Sequence, residues 1–536
     1  QEAKQRPSFC CNRLACLSAV LPMHTLAFAV NVAALALLPR CRAQIYSFDN
    51  TPVPSNKSLH TLYAFYVYSK EESPDKVIHT PFVKFSGLTV RSTKADAPIP
   101  DYKSVQISIM RYRDFWHLIS PVKFCSSYDD VQDGKSDLVD TLLLQKPASK
   151  TFADVDVYAH TVRFPDKVSS NSRDVKKNIS STGVYILVFS NCGDYTDALV
   201  SGSVVVKNAY GFLPGIEYHK MPFYGWLSLF YLFLAFIWMA LSLRWWKELF
   251  NIQMSIGGVI FLGLVECFLW YIFFNDWNAS GKRGKVLFIL ATWFTVAKSC
   301  FSYMLVLVAS LGWGVTRPFL DREVIMKVQA ASFVYIVLDF IRETVLSFRH
   351  SHTISLLFIT LCLVPVAIMN GGIFYWVFTA LSNLITTLQE RGQTEKLILF
   401  QRLWKMLVLA LSIASITLLL QFRDLSHENT SRWKYQWLFA DGVSHVLFIM
   451  VLVAMMYLWA PHKYSQRYAY SQQLDDSIEG TGPEHPQAVW ADDDFLDDGK
   501  EDDESFWAET RNDENWQGAD IIGLSKSPIQ AEGDCR

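Results

Sequence analysis

Four ionisable side chains of this chain lie inside apolar stretches, where a charge is unfavourable. Lys298 is near the middle of the apolar run Ala291–Ser310, and Glu266 lies within the preceding apolar run. Asp441 and His445 share the last apolar run, one helical turn apart. A lysine at the centre of a membrane helix costs roughly 2.5–3.5 kcal/mol. Each of these groups is therefore expected to be paired with another polar group, to line a water-filled cavity or to serve the function of the protein.

Glu266 and Lys298 are expected to lie at a similar depth, because each is about a dozen residues from the start of its own run and the two helices would be antiparallel. We predict a polar cavity formed by Glu266, Lys298 and Asp441, with His445 one turn deeper, that conducts or senses cations or binds an amphipathic ligand. The alternative is a permanent ion pair that joins the two helices. His445 is either a pH-sensitive group or a polar packing residue.

Composition divides the chain into unequal parts. Of 536 residues, 51% are hydrophobic and 19% are charged, which is apolar compared with a soluble domain. The apolar excess is concentrated between residues 222 and 460, in seven runs that each approach the roughly 20 residues needed to cross a bilayer. The fourth run contains four charged residues, so six spans are the alternative. The predicted spans are Phe223–Leu243, Ile252–Phe274, Val286–Leu311, Val324–Leu346, Thr353–Leu381, Leu403–Phe422 and Trp437–Trp459.

The beginning of the chain has the pattern of a signal peptide. Three basic residues precede the run "LAFAVNVAALALL", which is too short to span a bilayer, and small residues precede Gln44. Cleavage there would place the following domain in the lumen; a retained first helix is the alternative. The predicted organisation is a signal peptide at 1–43, a lumenal domain at 44–218, a seven-transmembrane domain at 219–460 and a cytosolic tail at 461–536.

The lumenal region has the pattern of a small β-sandwich. Short runs such as "SVQISIM" and "GVYILVFSN" are rich in β-branched residues and are separated by Gly, Pro, Asn and Asp. Cys125 and Cys192 are expected to form a disulfide in an oxidising lumen, and two buried thiols are the alternative. Four Asn-x-Ser/Thr sequons fall on the lumenal side of this topology and are glycosylation candidates: Asn56, Asn178, Asn278 and Asn429.

The tail is strongly acidic, with 19 acidic and 4 basic residues after Tyr470. Such a segment cannot bury enough apolar surface to fold, so disorder is expected. Its isolated aromatic residues, Phe506 and Trp507 in particular, are candidate anchors for a sorting adaptor. The alternative is a solvated spacer.

Four motifs resemble a known family. They are "YGFLPG" before the first span, "IGGVIFLGLVE" in the second, "SLGWGVTRPFL" at the end of the third and "SQRYAYS" after the seventh. In order and spacing they resemble the lung seven-transmembrane receptor family, also called the GOLD-domain seven-transmembrane helix proteins, and within it the transmembrane protein 87 group.

The resemblance implies that the lumenal β-sandwich is a GOLD-like domain and that the protein resides in Golgi and neighbouring membranes. It implies a role in membrane trafficking between endosomes, Golgi and cell surface, including that of a cargo receptor with a protein or lipid ligand in the lumen. The alternative it implies is a cation channel that regulates Golgi pH.

Enzyme motifs are missing from the sequence. There is no H-E-x-x-H, no P-loop and no G-x-S-x-G. We therefore predict no catalytic residues, no metal site and no cofactor. The expected partners are membrane lipids, lumenal cargo or a lipid ligand, and adaptors on the tail, with no nucleic acid.

Overall fold

The computed structural model describes most of the chain between residues 45 and 461. The predicted signal peptide and the acidic tail, with Phe506 and Trp507, lie outside the described residues, as do Asn56 and Asn429. The described ranges are 45–52, 58–92, 104–120, 123–145, 157–163, 169–171, 175–192, 198–249, 251–316, 320–348, 356–426 and 430–461.

The first part of the fold consists of two antiparallel sheets. One sheet has the strand order β1-β9-β3-β6, with β7 also paired to β3, and the other has the order β2-β8-β4-β5. The strands are β1 Ile45–Pro52, β2 Ser58–Val67, β3 Phe82–Ser92, β4 Ser104–Arg111, β5 Val157–Arg163, β6 Ser169–Asn171, β7 Val175–Asn178, β8 Gly183–Asn191 and β9 Ala198–Lys207.

The core between the sheets is formed by apolar residues that alternate with outward-facing residues along the strands. Phe65 and Leu187 from one sheet pack with Phe85 and Val204 from the other, and all four are buried. Every second residue of a strand faces the same side, so this interior is the one that the alternating sequence pattern predicts. Strand β8 is buried on both faces, because the short helix Tyr112–Leu118 covers its outer side.

In the part of the chain that the structure describes, seven longer helices follow and form a bundle. Among the described residues, α1 to α6 are long and apolar enough to cross a membrane, and α7 is shorter. A four-residue helix, Gly215–Tyr218, precedes them. The bundle helices are α1 Lys220–Arg244, α2 Asn251–Ser280, α3 Lys285–Ser310, α4 Arg322–Phe348, α5 Leu356–Glu390, α6 Thr394–Ser426 and α7 Val443–Leu458.

All seven predicted spans correspond to a helix, but several boundaries differ from the apolar runs. Helix α2 ends at Ser280 and helix α5 at Glu390, both beyond the predicted ends at Phe274 and Leu381. Helix α6 begins at Thr394, nine residues before the predicted start, because polar residues such as those of "TEKLILFQR" continue a helix beyond the bilayer as readily as apolar ones. In the last span, Leu438–Gly442 is a π-helical turn, and the long α-helix follows from Val443.

Candidate functional site

Glu266 and Lys298 meet in the bundle. Lys298 Nζ lies 2.5 Å from Glu266 Oε2, and the side chains are 4% and 0% exposed. The short turn after α2, with Gly281 at a φ of +71°, returns the chain so that α2 and α3 are antiparallel neighbours. The predicted meeting of these residues is therefore present.

The surroundings of the pair are mostly apolar. Lys298 Nζ also lies 4.6 Å from the centre of the Phe448 ring, a cation–π contact that brings α7 to the pair. Among the described residues, Lys298 is the cation that pairs with this buried carboxylate, and neither oxygen of Glu266 has a further hydrogen-bond partner. Removing one member of such a pair is strongly destabilising.

Asp441 forms an ion pair with a lysine other than Lys298. Its Oδ2 lies 2.7 Å from Lys220 Nζ, and the same ammonium is 2.9 Å from Glu217 Oε2. Asp441 belongs to the π-helical turn, at the end of the bundle that faces the sandwich, where Lys220 begins α1. The sequence reasoning missed Lys220 and Glu217, although their i, i+3 spacing is a signal for an ion pair.

His445 lies between the two ion pairs. Its Nε2 is 3.0 Å from the hydroxyl of Tyr224, and its ring stacks on Phe223. The imidazole is also close enough to Lys298, Glu266, Asp441 and Lys220 for their charges to act on it.

We call the resulting arrangement the polar column. Lys220 and Tyr224 are four residues apart on α1, as are Asp441 and His445 at the start of α7, so their side chains form successive layers. The column has three layers: Glu217, Lys220 and Asp441; then Tyr224 and His445; then Glu266 and Lys298. It enters the bundle from the sandwich end.

Helix α4 holds a separate charged group. Arg342 lies 2.8 Å from Asp339 and 2.5 Å from Glu343, and Asp339 is fully buried. These residues interrupted the apolar run, which made the fourth span the weakest prediction. Pairing within one helix explains how α4 keeps its charges in an apolar setting.

Asn278 forms hydrogen bonds with the chain segment that joins the sandwich to the bundle. Its side-chain oxygen accepts a hydrogen bond from the N–H of Leu213 at 3.1 Å, and its amide nitrogen donates to the carbonyl of Tyr210 at 3.3 Å. The N–H of Phe212 donates to the Asn278 carbonyl. Gly211 has a φ of +151°, and a Cβ there would collide with the Asn278 amide.

These contacts argue against Asn278 as a glycan acceptor in the folded state, because the nitrogen that would hold the glycan is engaged. Asn178, at the end of β7, is exposed and stays a candidate. The predicted disulfide is present: Cys125 and Cys192 are joined, with their Cα atoms 5.3 Å apart.

Replacing Asn278 with alanine is expected to lower the free energy of unfolding by about 1–3 kcal/mol, because the buried polar groups of Tyr210 and Leu213 lose their partner. Ser280→Ala is the matched control, since it removes the sequon and keeps the amide. The measurements are the unfolding temperature in detergent and electrophoretic mobility before and after glycosidase. A mobility shift that Ser280→Ala abolishes would contradict this role for Asn278.

Comparison with known proteins agrees with the helical part of the fold. Residues 219–466 match the model of the family described as GOST, seven transmembrane domain. The chain is 28% identical to transmembrane protein 87A of Xenopus tropicalis over 306 residues, 57% of this chain and 56% of that protein. It is 27% identical to transmembrane protein 87B of Mus musculus over 312 residues, 57% of this chain and 55% of that protein.

A fungal relative matches more of the chain. Membrane protein PTM1 of Saccharomyces cerevisiae (strain YJM789) is 26% identical over 446 residues, which cover 76% of this chain and 79% of that protein. The chain spans about half the length of the vertebrate relatives it matches. This chain therefore carries a GOST seven-transmembrane domain and is a homologue of transmembrane proteins 87A and 87B.

Proposed function

We propose that this protein acts in membrane trafficking between endosomes, Golgi and cell surface, as a receptor whose β-sandwich meets cargo in the lumen. It has no enzymatic activity in this proposal. The acidic tail lies in the cytosol and binds sorting adaptors through Phe506 and Trp507. Support comes from the family motifs and from the homology to the transmembrane 87 proteins.

The observation that carries the proposal is the continuity between the sandwich and the bundle. Tyr68 and Tyr210 of the sandwich region pack in one buried apolar cluster with Tyr218 and Trp433 of the bundle region. The ring centres of Tyr210 and Tyr218 are 4.0 Å apart, and those of Tyr68 and Trp433 are 5.0 Å apart. Closely packed side chains transmit displacement, so a shift of the sandwich on cargo binding would also shift the bundle helices that it contacts.

The test is the rate at which the protein is retrieved from the cell surface. In cells that depend on the introduced gene, we expect Phe506→Ala with Trp507→Ala to slow retrieval several-fold, since aromatic anchors dominate small interfaces. Trp516→Ala is the matched control, because it removes a tryptophan from the same acidic tail. Retrieval at the wild-type rate in the double variant would overturn the adaptor role.

A second candidate function is a cation pathway, and the polar column is the observation that favours it. The column leads from the sandwich end of the bundle to the buried Glu266–Lys298 pair, and such intramembrane charges often mark ion routes. In this alternative the protein regulates the pH of the Golgi lumen by passing cations along these layers.

Cation flux in liposomes distinguishes the two functions. With the purified protein at pH 5–7.5, we expect Glu266→Gln to change the flux about tenfold, the effect of about 1.4 kcal/mol on a barrier. Lys327→Met is the control, because Lys327 is an exposed lysine paired to Glu323 on α4. Absence of flux in a folded sample would remove the channel function and leave the trafficking function unaffected.

A further inference from the structure

The loop between β2 and β3, residues 68–81, contacts the bundle near its start. The Tyr68 hydroxyl lies 3.0 Å from Nε2 of His219, the residue that precedes α1. Four residues later, Glu72 Oε2 lies 2.7 Å from Lys434 Nζ, in the segment between α6 and α7. The first part of the loop therefore lies at the end of the bundle that faces the sandwich.

The second part of the loop contacts the chain segment that leads into the bundle. The N–H groups of Ile78 and His79 both donate to the carbonyl of Ala209, at 3.0 and 3.1 Å. The carbonyl of the next residue, Tyr210, accepts the hydrogen bond from the side-chain amide of Asn278. This contact of the loop is therefore one residue away from a hydrogen bond to α2.

The end of α2 shows how deep this contact lies relative to a bilayer. The predicted apolar run ends at Phe274, and Asn278 lies about 6 Å further along the helix axis. The headgroup layer on each side of the hydrocarbon core is about 5–8 Å thick. The turn that follows α2, "GKRGK", carries three basic residues, which suit the headgroup region. Ala209 and the loop bonded to it therefore lie at the depth of the headgroups.

Two aliphatic side chains of this part of the loop are open to solvent. Val77 is 40% exposed and Ile78 is 66% exposed, although the backbone at Ile78 is fixed by its hydrogen bond. Among the described residues of the sandwich, other large apolar side chains with this exposure lie between residues 128 and 139. Exposed apolar residues beside a membrane-spanning domain indicate contact with lipid.

The two exposed apolar sites lie at opposite ends of strand β8. The Ser69 N–H donates to the hydroxyl of Thr182, directly before β8, so the loop adjoins the start of that strand. Residues 128–139 follow Cys125, which is bonded to Cys192, directly after β8. The strand between these points is about 26 Å long. The second site is therefore remote from the loop and provides a control.

We propose that Val77 and Ile78 insert into the bilayer leaflet on the sandwich side of the bundle and anchor the base of the sandwich to the membrane surface. Apolar side chains gain free energy when they leave water, and a loop that is already ordered loses little entropy on insertion. The partner is the lipid surface, because the loop is joined to the membrane-spanning helices through Ala209 and Tyr210. Lys76, which is exposed beside them, can extend to the headgroup phosphates.

The test measures the depth of a nitroxide label by electron paramagnetic resonance. The label is attached at Ile78→Cys in the full chain, in phosphatidylcholine vesicles, with the other free cysteines replaced by serine. Its collisions with oxygen, which concentrates in hydrocarbon, are compared with those of a water-soluble nickel complex. We expect the label to lie roughly 5–10 Å inside the headgroup boundary, as apolar residues of interfacial segments do. The matched label at Leu138→Cys is expected to lie in water.

A second series changes the apolar surface that drives insertion. With the label at Val77→Cys, we expect Ile78→Ser to lower the ratio of inserted to water-exposed label about tenfold, because burial of one aliphatic side chain contributes about that factor. Ile78→Leu is expected to leave the ratio unchanged. Leu138→Ser is the control at the far end of β8, and it is also expected to have no effect.

Equal collision rates with the nickel complex at positions 78 and 138 would overturn the proposal. A label at position 78 that is shielded from both reagents would also overturn it, because protein rather than lipid would then cover the loop. The label at Val77→Cys gives the depth by itself if Ile78→Cys fails to fold. Because the readout is a depth in purified protein, a failure of the trafficking function would not alter it.

Discussion

Replacing Lys298 with methionine is expected to lower the free energy of unfolding by about 3–5 kcal/mol. Methionine has a similar length, so the packing around the position is largely retained. The carboxylate of Glu266 stays fully buried and loses the cation that lies 2.5 Å away. For a domain of this size the unfolding temperature would fall by about 10 °C.

The measurement is the apparent unfolding temperature of the purified protein in detergent, followed by tryptophan fluorescence. Lys327→Met serves as the control, because Lys327 and its partner Glu323 are 60% and 75% exposed. Exposed ion pairs of this kind contribute about 0–1 kcal/mol. A loss for Lys298→Met no larger than that for Lys327→Met would contradict the buried-pair interpretation.

The double variant Glu266→Gln with Lys298→Met separates a structural role from a functional one. Both charges are gone, so most of the stability should return, as in proteins whose buried ion pairs have been replaced by neutral residues. If the double variant folds and retains full cation flux or trafficking, the pair only joins α2 to α3. If it folds and loses one of these activities, the charges themselves take part in that activity.

Removing the disulfide with Cys125→Ser and Cys192→Ser is expected to destabilise the sandwich by about 4 kcal/mol. The two cysteines are 67 residues apart in sequence, and the chain-entropy estimate grows with the logarithm of that separation. The bond joins the end of β8 to the segment that begins with Lys123. Phe124, Leu142 and Leu144 of that segment pack in a small apolar cluster beside β8.

Limited proteolysis reports this effect directly. We expect the double serine variant to be cut within the segment Tyr128–Asp140, which the hydrogen bonds between Ser126 and Thr141 close into a compact loop in the native protein. Cys362→Ser is the control, because Cys362 is a free, partly exposed thiol in α5. Equal protease resistance with and without the disulfide would show that packing alone holds the segment.

Much of the architecture follows from sequence patterns that act locally. A run of about 20 apolar residues must form its backbone hydrogen bonds internally in a membrane, so it becomes a helix wherever it lies in the fold. Where apolar and polar residues alternate, a strand places its apolar side chains on one face, because successive side chains point to opposite faces. The meeting of Glu266 and Lys298 was also predictable, because a short connection makes α2 and α3 antiparallel neighbours and both residues lie at similar depth.

The sequence did not reveal which residues across the bundle become neighbours. The polar column requires α1 and α7 to lie side by side, and roughly 200 residues separate Lys220 from Asp441 along the chain. The π-helical turn at the start of α7 sets the direction of Asp441 and His445, and no residue pattern predicted that turn. The sequence therefore did not reveal that Asp441 pairs with Lys220.

The role of Asn278 at the domain junction could not be predicted from sequence either. Its sequon made it a glycosylation candidate, but its side-chain amide hydrogen-bonds to residues 210–213, which lie far earlier in the chain. The sequence by itself determined the partition into sandwich, helices and tail, together with the disulfide and the buried pair. Only the tertiary structure decided the partners of Asp441, His445, Asn278 and His219, because each partner is brought there by the packing of separate elements rather than by spacing along one of them.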